Sequence, residues 1–385
     1  VAFTALTTRN EPPPIARGGW LDALRFIVAA LIILHHFQGA GPIALAEGLH
    51  PAFEHSGFLL TNFFIIDSGY VLMRVYGRSV GAGRMSHFDF FLKRALRVWP
   101  AHLIMGLSLI VLVGAATLAG QPPRNPEWFQ WDQLPAQLAL VQSFGVHGGL
   151  GWNAPSWSIS GLIGCYLLFP FILRGVTKLG PWTALIGMIA LYLAINQLCW
   201  TFLGYPVWQM PMHYGFIRIL PLFVLGMTLA WFAQKVWINP RVAGWVGVAA
   251  AAGFFALQAF DKHALLSLVC ISLIILAAGA VPVRRPSKLV ERAALVSFSM
   301  FITNEVVRIW WFGFGNIAID RLNLSESVQW AIWGAGVLAA FAFAWAYHHL
   351  IDAPMQDRIK AWLKSRALRR GRIARITQPV VSLEG

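Results

Sequence analysis

Two side chains able to hold an anion or move a proton, Arg25 and His36, share the apolar stretch LDALRFIVAALIILHHF at residues 21–37. They are eleven residues apart. On a helix that spacing returns to within about 20° of one face and separates the two by roughly 16 Å along the axis. His35 is turned about 80° away, so His36 is the histidine that shares the Arg25 face. A cation at one level and an imidazole at another suit a reaction that fixes a negative group below and transfers a proton above. The bland alternative is an arginine snorkelling to headgroups and a histidine serving as an interhelical hydrogen-bond partner.

Other ionisable groups interrupt apolar runs: Asp67 in NFFIIDSGYVL, Glu305 and Arg308 in SMFITNEVVRIW, and Arg218 at the start of RILPLFVLGM. Such groups cost free energy in hydrocarbon and mark functional sites by default. A structural salt-bridge network among them is the competing reading.

The elements that must position these residues follow from composition. Of 385 residues, 57% are hydrophobic and 12% charged, too apolar for a soluble enzyme. Windows long enough to cross about 30 Å of hydrocarbon fall near 20–38, 57–74, 99–119, 156–173, 182–203, 215–234, 243–260, 264–281, 293–313 and 327–350. This predicts an all-α polytopic membrane protein of ten transmembrane helices. With the N-terminus inside, the outer loops hold only Arg124, Lys262 and Arg321 of the 30 Lys and Arg, so both termini are expected to be cytoplasmic. The net charge of +14 is then a cytoplasmic-face bias toward anionic lipid and needs no nucleic acid. The predicted organisation is a tail at 1–19, a membrane domain at 20–350 with an external loop at 120–154, and a basic tail at 351–385 running along the inner surface. EPPP at 11–14 belongs to the first tail, and the first span lacks a small-residue cleavage signature, so it reads as a retained helix. Cys165, Cys199 and Cys270 lack CxxC spacing and read as packing residues, without disulfide or metal.

The residues also resemble a family. LDALRFIVAALIILHH is similar to the first helix of the acyltransferase-3 family of bacterial inner-membrane O-acyltransferases, marked by Arg, ten residues and His, here Arg25 and His36. NFFIIDSGYVL resembles its second helix through Ser68 and Gly69. FLKRALRVWP at 91–100 matches its basic element through Phe91, Lys93, Arg94, Arg97, Trp99 and Pro100. NAPSWSIS, YLLFP, RILPLFVLGM, SFSMFITN and IDAPMQDR follow in family order.

The resemblance implies transfer of an acyl group, usually acetyl, from cytoplasmic acetyl-CoA to a hydroxyl of a glycan or glycolipid outside. No permanently bound cofactor is expected. Lys93, Arg94 and Arg97 would bind CoA phosphates, although positive-inside topology alone accounts for basic residues there. Arg25 would hold a phosphate or the thioester oxygen. His36 would be general base, or would carry the acyl group covalently. Trp157, Ser158 and Ser160 would orient the acceptor and Trp152 and Asn153 contact a sugar, with Arg218, Arg308 and Asn304 completing the substrate path. A separate periplasmic or membrane partner could receive the acyl group.

Four positions depart from the family pattern. Leu162 stands where Glu is common, Asn304 where His is common, and Asn62 where an acid is common, while Asp67 replaces an aliphatic residue. The expectation is that Asp67 or Glu305 compensates by orienting His36, as carboxylates orient catalytic imidazoles. The overall picture is a tunnel joining an inner donor pocket to an outer acceptor cleft, with the 120–154 loop as lid. The rival is a carrier of a glycolipid or acid on the same scaffold, its buried charges lining a pathway.

Overall fold

The computed structural model describes residues 6–8, 17–41, 46–123, 126–146, 151–260 and 265–376. The EPPP segment, Arg124, residues 147–150, Lys262 and the tail beyond 376 lie outside them.

Each predicted span coincides with a helix. These are α1 (Trp20–Phe37), α2 (Ala46–Gly81) and α3 (His87–Leu118), then, after the short α4 (Leu134–Leu138), α5 (Ser156–Lys178), α6 (Pro181–Leu203) and α7 (Gly215–Lys235). α8 (Pro240–Ala259), α9 (Leu265–Ala280), α10 (Lys288–Leu322) and α11 (Glu326–Tyr347) complete the set. A π-helical turn, His348–Asp352, leads into α12 (Ala353–Ile376). Among the described residues, eight helices are long and apolar enough to cross a membrane. α9, with 16 residues, is shorter, and α2 carries Asn62, Asp67 and Arg74 through its apolar run. The chain is an all-α, multi-pass membrane protein.

Local chemistry sets the helix ends. Ser86 accepts from Asp89 N at 3.0 Å to cap α3, Asn239 caps α8 ahead of Pro240, and Ser287 caps α10. Gly204 closes α6 in the left-handed region at φ 75°. α3 and α10 outrun their predicted windows because their polar first turns remain helical. FLKRALRVWP is therefore part of α3 rather than a loop before it. A feature no periodicity indicated is a two-stranded antiparallel ribbon, β1 (Leu6–Thr8) with β2 (Val236–Ile238), pairing Leu6 with Ile238.

The α2–α7 crossing organises the bundle. A Cβ on Gly69 would strike Phe223 O, and one on Gly226 would strike Ile66 O. Two glycines thus let the backbones touch, the usual means of helix association where lipid offers no hydrophobic drive. α1 packs in turn on α10 through Ala29, Ile33, Phe37, Met300 and Val307.

Candidate functional site

α1 presents Arg25 and His36 to different partners. Arg25 Nε donates to Asp67 Oδ2 on α2 at 2.7 Å, and its Nη1 to Asp22 Oδ1 at 3.2 Å. Asp22 in turn accepts from Gly18 N at 2.7 Å, which ties the chain entering α1 to the same cluster. Two carboxylates therefore hold Arg25. It is a structural clamp between α1 and α2, as the salt-bridge reading of these buried groups has it. Asp67, buried on α2, is committed to the clamp and does not orient His36.

His36 is oriented from α10 instead. Its Nδ1 lies 2.6 Å from Asn304 Oδ1. The Asn304 amide is itself fixed, because Nδ2 donates to Met300 O at 3.1 Å and to Phe301 O at 2.7 Å. With the NH2 group on two carbonyls, the oxygen must face the ring. Nδ1 therefore carries the proton and Nε2 keeps its lone pair. No described residue bonds Nε2. An amide orienting an imidazole has the logic of the Cys-His-Asn arrangement, in which the third member holds the tautomer. Asn304 is thus a positioning residue for His36, the place given in advance to a carboxylate.

Glu305 does not bond the ring either. It accepts from Arg308 Nε at 2.9 Å and Nη2 at 2.6 Å, a forked pair within one turn of α10. The Arg308 guanidinium also lies 5.7 Å from the Trp128 ring in the 120–154 loop. Arg218, fully buried on α7, donates to Asn62 Oδ1 from Nε at 3.2 Å and Nη2 at 2.7 Å and sits over Trp157 at 5.1 Å. Asn62, where the family pattern has an acid, is an Arg218 acceptor through a neutral amide.

The residues expected to meet the acceptor are mostly internal. Trp152 and Asn153 are both 2% exposed, with Trp152 Nε1 on Gln130 O at 3.0 Å and Asn153 Nδ2 on Ile302 O at 3.3 Å. Ser158 Oγ donates to Pro155 O, and Ser160 Oγ donates to Leu140 O while accepting from Ser143 N. They sew the loop to α5 and α10. In this structure the Trp152 indole is buried and bonded to backbone, and Asn153, Ser158 and Ser160 each donate to a backbone carbonyl. Hydrogen bonds tie the described part of the 120–154 loop to α5 and α10. Trp131, 54% exposed against the edge of Trp152 at 4.7 Å, is an aromatic on that surface, as is Phe144.

Arg25 and His36 do share a face, yet Ala29 (0%) and Ile32 (1%) fill the stripe between them. The direct line along α1 is closed by side chains. Phe64 and Phe301 pack at 6.0 Å between the two levels.

Toward the other end, α3 displays Lys93 exposed over Tyr76 at 5.2 Å and Arg94 over Tyr166 at 5.4 Å. Arg97 lies over Phe298 at 4.5 Å and donates from Nη1 to Asp352 Oδ1 at 2.9 Å. Arg74, whose Nη1 donates to Tyr70 OH at 3.0 Å, adds a cation on the neighbouring α2. It was missed because its span reads as an ordinary apolar window; its seven-residue spacing from Asp67, two helical turns, is the signal that places both on one face.

A family model of the acyltransferase domain matches residues 19–349. Among characterised proteins, acyltransferase MdmB of Streptomyces mycarofaciens is 26% identical over 264 residues, 63% of this chain and 64% of the relative. The chain thus spans less than two thirds of that relative's length. No solved structure matches. With the Arg25–His36 helix, the α3 cations and helices α1–α11 all inside the matched region, this chain belongs to the acyltransferase-3 family.

Proposed function

We propose that this protein is an O-acyltransferase of the bacterial inner membrane, moving an acyl group, acetyl first among the candidates, from cytoplasmic acyl-CoA to a hydroxyl of an extracytoplasmic glycan or glycolipid. The observation that carries this reading is the fixed His36 tautomer, with Nδ1–H on Asn304 and Nε2 unengaged. An imidazole whose ordinary pKa is about 6.5 accepts a proton at neutral pH. Nε2 takes the proton of the acceptor hydroxyl as its oxygen bonds to the thioester carbonyl carbon. The carbon–sulfur bond then breaks, and the proton passes from Nε2 to the departing thiolate.

Lys93, Arg94 and Arg97 supply cations for the donor phosphates, with Arg able to engage them through paired N–H groups. The thioester has to pass from that level to His36, and the packed Ala29–Ile32 stripe makes this passage a conformational step. The clamp of Arg25 by Asp67 and Asp22 keeps α1 and α2 in register around it.

The test uses protein in sealed vesicles given labelled acetyl-CoA on the Lys93–Arg97 side and envelope glycan on the other. Covalent label should appear in the glycan with wild type and fall at least about a hundredfold with His36→Ala, a general base contributing roughly 10²–10⁴. Uptake of glycolipid or acid without covalent label would identify a carrier and refute the reading.

A further inference from the structure

Asp352, the acceptor of Arg97 Nη1 and the first acid of IDAPMQDR, lies just beyond the family match, which stops at residue 349. It ends the π-helical turn and is 1% exposed. A carboxylate this deep must be paired, and Arg97 Nη1 pairs it at 2.9 Å. His348 Nδ1 stands 3.4 Å from its other oxygen. The next turn adds a second tie, Gln356 Nε2 donating to Leu96 O at 3.2 Å and Arg97 O at 3.3 Å. The start of α12 thus holds both the backbone and the side chain of Arg97.

The geometry of that hold matters more than its existence. Asp352 takes Nη1, and Phe298 covers one guanidinium face at 4.5 Å. Nε and Nη2 bond to no described residue, and the side chain is 29% exposed. The Nε–Nη2 edge is the one that meets a phosphate or carboxylate with two parallel N–H groups. Arg94, three residues earlier on α3, has a buried Nε with no partner among the described residues. The cluster is therefore not closed on itself. A pair made only to neutralise Asp352 would not need one open fork and an aromatic rest.

We propose that Asp352 is a positioning residue for the acyl donor: through its side-chain bond it fixes the Arg97 guanidinium so that the open edge binds a phosphate of acyl-CoA. The inference rests on the donor reading given above. The carboxylate touches neither donor nor acceptor. Its effect reaches the donor through one hydrogen bond to Arg97.

The experiment compares acetyl-CoA with the phosphate-free donor S-acetylpantetheine, using full-length protein in vesicles. Asp352→Ala is expected to raise the KM for acetyl-CoA about tenfold with kcat within threefold, and to leave the KM for S-acetylpantetheine within twofold. Asp352→Glu should recover much of the loss. Gln356→Ala, which loosens the same junction without touching the Arg97 side chain, should stay within twofold on both donors. Equal losses on both donors, or equal effects of Asp352→Ala and Gln356→Ala, would mean the pair is structural and overturn the inference. If Asp352→Ala does not insert, Asp352→Leu, which fills the volume and has no acceptor, carries the same comparison. Arg97→Ala separates the two levels of argument. A selective loss on acetyl-CoA in Arg97→Ala but not in the Asp352 variants sinks the Asp352 role alone, whereas no preference for acetyl-CoA in wild type sinks the donor reading and this inference with it.

Discussion

Replacing Asn304 tests the tautomer argument directly. The side chain is fully buried, and its oxygen lies 2.6 Å from His36 Nδ1. Asn304→Leu keeps much of the volume but removes the acceptor, which leaves a buried ring N–H without a partner. Such a group costs about 1–3 kcal/mol. The ring recovers that free energy by rotating or by moving its proton to Nε2, and in either state Nε2 is no longer an aimed base. At 1.4 kcal/mol per tenfold, the active arrangement is depleted about 5- to 150-fold. kcat for label transfer, normalised to inserted protein, should drop by that factor while the KM for acetyl-CoA stays within twofold. Asn304→Asp retains an acceptor and should remain within about fivefold of wild type. A Leu variant as active as wild type, or an Asp variant as impaired as Leu, would refute the reasoning.

Three further outcomes follow from contacts elsewhere. Arg308→Ala leaves Glu305 buried beside His36 without its forked partner, and should lower stability in detergent by about 2 kcal/mol, less than the loss for a fully buried pair because Arg308 is 24% exposed. The double change Glu305→Gln with Arg308→Met should restore most of it, as read by thermal unfolding. Gly226→Leu forces a side chain into the Ile66 carbonyl at the α2–α7 crossing and should abolish recovery of folded protein, whereas Gly313→Leu, where a Cβ meets nothing within 4 Å, should be neutral. Single cysteines at Arg285 and Arg321 should react with an impermeant maleimide from opposite sides of intact membranes, and labelling from the same side would overturn the charge-based orientation.

Hydropathy made the bundle legible because lipid demands about twenty apolar residues per crossing whatever their partners, so each of the ten windows lies on a helix. The Arg25 and His36 face was equally readable, since a spacing of eleven residues returns to one side of any α-helix. The basic run at Lys93, Arg94 and Arg97 was plain from charge and order, and the polar positions on α2 and α10 stood out because they interrupt apolar runs. What periodicity does not encode is which face of one helix meets which face of another. Asp67 and Glu305 both looked able to serve His36, and only packing sent the first to Arg25 and the second to Arg308.

The sequence by itself determined that this chain crosses the membrane many times, where its buried ionisable groups fall, and that an arginine and a histidine share one helical face. Those properties are local, set by transfer free energies and helical geometry. Tertiary structure decided that Asn304 rather than a carboxylate aims His36, that Trp152 and Ser160 hold a loop, and that Asp352 reaches Arg97 across 255 positions of chain. A hydrogen bond needs its partner within about 3 Å, and contacts between distant segments arise only when the helices have packed.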